Sequence, residues 1–156
     1  MKRFALIVLT IPLIVLVFMV LGFAVTQVQL SSKDFPKATG KPDWKTLAQE
    51  DIPSVVTFDA DGDKRITQVW IVSLDGAPYL RTGNTQWFAN LERVPELELR
   101  IGGVMYLCRT SVIKDRTKAQ QAHDAFYAKY ARRSDFFRAI GISTDTVIAL
   151  ECSYGS

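Results

Sequence analysis

Apolar and polar positions change rhythm several times along the chain, and the changes mark the elements. Phe4 to Val25 carries no charged residue. Residues 26–43 then mix Ser, Lys, Gly and Pro without an apolar period, as a linker does. Pro42 to Glu50 places Trp44, Leu47 and Ala48 on one face, which predicts a short helix that Pro53 ends. Val55 to Phe58 is the first strand candidate. Ile66 to Leu74 is rich in β-branched and aromatic residues and predicts a second; Asp75-Gly76 is a hairpin signal, and Tyr79 to Thr82 is the partner. Gln86 to Arg93 carries Trp87, Phe88 and Leu91 on one side of a helix closed by Pro95. Leu97 to Ile101 alternates apolar and charged, Gly102-Gly103 tolerates positive φ, and Val104 to Ile113 returns beside it. Thr117 to Arg133 has no Gly or Pro and spaces Ala119, Ala122, Phe126 and Tyr130 for a helix. Phe136, Phe137 and Ile140 predict a further helical turn ending at Gly141, and Val147 to Ser153 a last strand.

Six strand candidates, most joined by hairpins, exclude a doubly wound parallel sheet, which needs a helix between consecutive strands. The pattern predicts a mainly β, α+β domain over 44–156: a six-stranded antiparallel barrel with appended helices. Its core candidates are Val69, Ile71, Leu97, Leu99, Ile101, Val147 and Leu150.

The uncharged run of about 22 residues is long enough, at 1.5 Å per residue, to cross a hydrocarbon core of ~30 Å. Gly22-Phe23-Ala24 offers small residues for signal-peptide cleavage, but the run exceeds the usual apolar region of about 7–15 residues. The expectation is therefore a single-pass transmembrane signal anchor over 4–25, embedded in the lipid bilayer, with Pro12 tolerated inside it. Lys2 and Arg3 precede the span, whereas Lys33 behind it is offset by Asp34. Residues 1–3 are thus expected in the cytoplasm and the domain on the extracytoplasmic side, periplasmic or extracellular.

That compartment is oxidising and changes the reading of Cys108 and Cys152. Their spacing excludes a CxxC redox or zinc motif. Two readings stay open: buried thiols packing as small hydrophobes, which is preferred, or a disulfide, which requires the last strand to lie beside Val104–Ile113. In either case barrel packing is expected to outweigh the crosslink.

The formal net charge of +3 is explained by a solvated surface and points to no partner. Asp59, Asp61 and Asp63 stand at the first, third and fifth places of an EF-hand loop. Lys64 occupies its glycine position, however, and Trp70 that of its closing glutamate, so a hairpin turn is expected and no metal site. His123, the one histidine, lies beside the helical stripe without ligand-type neighbours and is expected at the surface or its boundary. No Ser-His-Asp or Cys-His arrangement is legible, which argues against hydrolase chemistry. Lys129, Arg132, Arg133 and Arg138 suit a helix C-terminus without any ligand. The aromatics fall at core spacing, which argues against nucleic acid as a partner.

Several local patterns resemble one superfamily. Trp87-Phe88-Ala89-Asn90-Leu91, followed by Val94-Pro95 and a hairpin on Gly102-Gly103, is similar to a Trp-aromatic-x-Asn-Leu, Asn-Pro pattern. That pattern belongs to nitroreductase-like members of the flavin- and deazaflavin-binding split-barrel superfamily. Trp44, Val69-Trp70-Ile71-Val72, Tyr79 to Thr82 and Tyr127 to Tyr130 resemble an uncharacterised domain family related to it. The likeness spans Trp44 to Cys152 and implies a split barrel, a possible homodimer, FMN or a deazaflavin as cofactor and, if there is activity, oxidoreductase chemistry. By position, Arg81, Thr82, Gly83, Trp87 and Asn90 would bind the cofactor, Arg81 and Thr82 holding its phosphate. The Gly-Arg-Lys-Ser-Gly run of deazaflavin-dependent members has no counterpart beyond Lys64-Arg65.

Two functions remain: an anchored domain that binds a flavin-like or phosphate-bearing planar ligand, or a cofactor-free interaction or scaffold domain. In the second, Arg81 faces outward and Trp87 plugs the core. A cleft filled by Trp87, Trp70 and Tyr79 would mark it.

Overall fold

One stretch of chain pairs with two different neighbours, and the architecture follows from how it does so. In a computed structural model the described residues are 34–49, 52–139 and 145–155, the side chains of 132–139 lying outside the description. Their elements run α1 (Trp44–Leu47), β1 (Ser54–Phe58), β2 (Lys64–Gln68), β3 (Trp70–Leu74), β4 (Ala77–Thr82), α2 (Gln86–Arg93), β5 (Glu96–Ile101), β6 (Val104–Val112), α3 (Arg116–Ala139) and β7 (Thr146–Ser153). The strands form one sheet of order β2-β1-β5-β6-β7-β4-β3, every pair antiparallel.

The expected six strands are seven, because the run 66–74 divides at Val69. The reason is Pro53. Ser54 opposite Gln68 is the last register pair of β1 and β2, and Val69 donates its N–H to the Pro53 carbonyl at 2.9 Å. Proline has no N–H to return, so the ladder ends there. From Trp70, opposite Arg81, the chain pairs with β4 instead. β2 and β3 are thus joined through one residue yet lie at opposite ends of the strand order. The sheet must curl to bring those ends together, which makes an antiparallel half-barrel.

Alternation along the strands sorts apolar side chains into two clusters. Val55, Ile71, Leu80, Leu99 and Ile148 face the interior with Trp44, Trp87 and Tyr106. Val72, Tyr79 and Val147 face outward and pack beneath α3 against Ala122, Phe126 and Tyr130. All seven core candidates are buried. The hairpin signals also hold: Asp75 and Gly76 have φ of 52° and 74°, and Gly102 and Gly103 of 62° and 77°.

Three elements differ from expectation. The compact unit spans Phe35–Ser156 and so begins inside the stretch assigned to the linker. Ala38 is buried; its N–H bonds to the Met105 carbonyl at 2.9 Å and its carbonyl accepts from Gly155 at 3.0 Å. α1 is shorter than its pattern and is capped by Asp43, whose carboxylate accepts from the Thr46 hydroxyl at 2.6 Å. That bond, with the Thr46 N–H, holds the carboxyl below its usual range. α3 runs past Arg133 and bends at Tyr130, where φ is −123° and ψ 25°. The Tyr130 hydroxyl donates to the Ile71 carbonyl at 3.2 Å, and its ring stacks on Trp70 at 4.9 Å. Phe136 and Phe137 fall where side chains are not described, and Ile140 and Gly141 lie outside the described residues.

The preference for two free thiols is overturned: Cys108 and Cys152 sit directly opposite on β6 and β7 and form a disulfide. Hairpin order revealed one neighbour of β6 and concealed the other. Among the described residues no helix is long and apolar enough to cross a membrane, and the expected span 4–25 lies outside them.

Replacing both cysteines by serine removes a crosslink between residues 44 apart in sequence. Loop closure sets the expected loss at about 4 kcal/mol. Unfolding in urea, followed by near-UV circular dichroism, should stay a single cooperative transition. Leu99→Ala, at a fully buried position, should cost about 2–5 kcal/mol in the same assay.

Candidate functional site

The expected ligand site spans β4, the loop after it and α2, and the structure divides its residues between two faces. On β4, Leu80 belongs to the interior cluster and Tyr79 to the one beneath α3, so Thr82 follows Leu80 and Arg81 follows Tyr79. Thr82 is buried, with its hydroxyl 3.2 Å from the Gly83 carbonyl and 2.9 Å from the Thr85 hydroxyl. That engagement explains why Thr85, at the N-cap of α2, makes no side-chain cap bond. Gly83 is buried beside it.

Along α2, residues 87, 90 and 91 form the buried face. Trp87 is 5% exposed and belongs to the interior cluster. Asn90 donates its amide to the Thr57 hydroxyl at 3.1 Å, tying α2 to β1. Its other amide end has no hydrogen-bond partner although the residue is 1% exposed. A second tie runs from the Arg93 guanidinium to the Phe58 carbonyl at 2.6 Å. Thr82, Gly83, Trp87 and Asn90 are thus brought to the interior side, and Arg81 is not.

Arg81 lines a cavity of about 390 Å³ with Gln120, His123, Asp124, Tyr127 and Asp145. Asp124 accepts from the Gln120 amide at 2.8 Å. Two carboxylates against one guanidinium make the pocket unfavourable for a phosphate. The sequence reading took Arg81 alone, although residues 120, 123, 124 and 127 follow the i, i+3, i+4, i+7 spacing of one helix face. His123 is half-buried, at the boundary expected of it. Nearby, on the outer end of α3, the Lys118 ammonium is pushed up by the Tyr79 phenol and lies 5.7 Å from its ring.

The aspartate-rich turn is organised internally: the Asp59 carboxylate accepts from the backbone N–H groups of Asp61 and Asp63 at 3.1 and 2.9 Å. Among the described residues no group of His, Cys, Asp and Glu could hold a metal ion.

A second cavity, of about 440 Å³, opens on the outer face of β5, β6 and β7. Phe58, Val94 and Leu107 border it, each 48–49% exposed. Nothing in the sequence marks this groove, because its apolar residues come from a strand end, a helix C-cap and a strand middle.

Solved structures of low sequence identity share this fold. An F420-H2 dependent reductase has a TM-score of 0.52 at 14% identity, the match covering 64% of this chain and 93% of that one. A Lactobacillus delbrueckii protein assigned as a pyridoxamine 5′-phosphate oxidase has a TM-score of 0.51 at 16% identity, covering 74% and 91%. Campylobacter jejuni ChuZ has a TM-score of 0.52 at 14% identity, covering 68% of this chain and 49% of ChuZ. The fold is a split barrel. No family model and no curated protein matches the sequence.

Within this split barrel the buried Asn90–Thr57 pair has a measurable role. Thr57→Val keeps the side-chain shape and leaves the Asn90 amide unpaired, so urea denaturation should show a loss of about 1–3 kcal/mol.

Proposed function

We propose that the chain is a single-pass, membrane-anchored protein whose split-barrel domain works on the extracytoplasmic side as an interaction or scaffold domain, without a flavin-type redox cofactor. The observation that supports this reading is Trp87, which is 5% exposed and packed into the interior cluster as a core residue. Tyr79 and Trp70 pack in the other cluster, beneath α3, so the three rings do not fill one cleft and the reading rests on Trp87 and on the polar groups alone. The residues present do not fit a flavin-like group: Arg81 is turned away from Thr82, the Thr82 hydroxyl is engaged, and the pocket that holds Arg81 also holds Asp124 and Asp145.

The anchor and orientation rest on the uncharged run Phe4 to Val25 and on Lys2 and Arg3 before it. A domain on the extracytoplasmic side is also separated from cytoplasmic flavin pools, which fits a binding role.

The full chain, purified in detergent, should be colourless and show no thermal shift with saturating FMN or deazaflavin. A bound chromophore, or a shift of several degrees lost in Arg81→Ala, would overturn the cofactor-free reading. For topology, a phosphatase fused after Ser156 should be active and a fluorescent protein that matures only in the cytoplasm dark; the opposite pattern rejects the orientation.

A further inference from the structure

The groove on the outer face has the makings of a docking site for a partner of definite chemistry. Phe58, Val94 and Leu107 expose apolar surface around a floor that includes Leu97 and Cys108. Rigid elements hold these walls. The Phe58 carbonyl accepts from Arg93 at 2.6 Å, the Leu107 carbonyl from the Ser153 hydroxyl at 3.1 Å, and the Cys108–Cys152 disulfide crosses below. β5, β6 and β7 are each paired on both sides, so a guest cannot add a strand and must be recognised through side chains.

The rim decides what kind of guest fits. Glu96, Glu98 and Glu151 line the groove against one cation, Arg109. Glu98 is held by Arg100 at 3.4 Å, and Glu96 meets Arg109 at 3.6 Å in a pair with side chains 64% and 73% exposed. An ion pair so exposed is weak and exchanges readily for an incoming cation. Glu151 is in no ion pair among the described residues. With Arg100 and Arg109 counted against Glu96, Glu98 and Glu151, the groove keeps one carboxylate in excess, on a chain whose formal net charge is +3. In a two-fold dimer only residues near the axis meet their own equivalents, so Arg109 of a second copy can face Glu151 and a dimer is a competing occupant of this face. Anionic lipid headgroups would be repelled by Glu151.

We propose that this groove binds a basic segment of a partner polypeptide, taking a bulky apolar side chain between Phe58, Val94 and Leu107 while flanking Lys or Arg residues pair with Glu151 and Glu96. The proposal deepens the interaction reading and rests on it.

The test is selection from a displayed random peptide library against the full chain in detergent. Enriched peptides should carry an aromatic or branched aliphatic residue flanked by Lys or Arg. Fluorescence anisotropy of a labelled enriched peptide should show binding weakened at least tenfold by Leu107→Ser and by Glu151→Lys. Tyr154→Ser, at another exposed apolar residue outside the groove, should leave it unchanged. Leu107 is half-exposed, so its variant is expected to fold, and circular dichroism checks this. Peptides that are neutral or acidic, no enrichment, or binding indifferent to Leu107→Ser would each overturn the proposal. Selected peptides that compete at the Arg81 pocket would overturn the groove alone and leave the interaction reading standing; FMN binding without peptide enrichment would overturn both. A dimer in sedimentation that Leu107→Ser dissociates would replace the partner peptide by a second copy.

Discussion

The missing N–H of Pro53 governs the curvature of the sheet. Because the β1–β2 ladder stops at Val69, one continuous run is paired to β1 on one side by its first half and to β4 on the other by its second. A flat sheet cannot satisfy both pairings. Curling encloses the interior cluster, and the aromatics Trp44, Trp87 and Tyr106 then fill it. Burial inside this cluster also pushes the Tyr106 phenol up.

α3 and the strap before α1 seal the two flanks of this half-barrel. α3 is held on β3 through Tyr130, and the Lys129 ammonium donates to the carbonyls of Ala48 and Ile71, so one helix gathers α1 and β3. On the opposite flank, residues 36–40 bond to Met105 and Gly155, and the Phe35 ring lies 4.9 Å from the Arg100 guanidinium. The guanidinium is almost fully buried, and both its neighbours offset that burial: Glu98 by charge, Phe35 by its ring face. The disulfide joins strands that the β6–β7 ladder also pairs, so crosslink and ladder act on the same seam.

The same packing shapes the function proposed. Trp87 is part of the packed interior, and Arg81 and Thr82, the two groups expected to hold a phosphate, end on opposite faces of β4. Among the described residues two cavities open to solvent, the Arg81 pocket beside α3 and the apolar groove on the outer face of the sheet.

Much of the fold was legible because it depends on local rules. The Asp75-Gly76 and Gly102-Gly103 turns need only residues that tolerate positive φ, the span of α2 was read from Gln86 to Arg93 without change, and the periods of strand and helix marked every buried core candidate. Where local rules ran out, so did the reading. The division at Val69 depends on a proline sixteen positions earlier in the chain being its cross-strand neighbour. The disulfide depends on β7 lying beside β6, a pairing across the long α3 connection that no turn signal specifies. The placing of the candidate site residues was limited for the same reason: a strand's period of two reveals that Arg81 and Thr82 face opposite ways, but not which way is inward. The sequence by itself determined the elements, their turns and their apolar positions, since each is fixed by residues adjacent in the chain. Beyond the two hairpins, tertiary structure alone decided which strands meet, which cysteines bond and which side chains share a cavity, because those depend on the curl of a sheet that joins strands far apart in sequence.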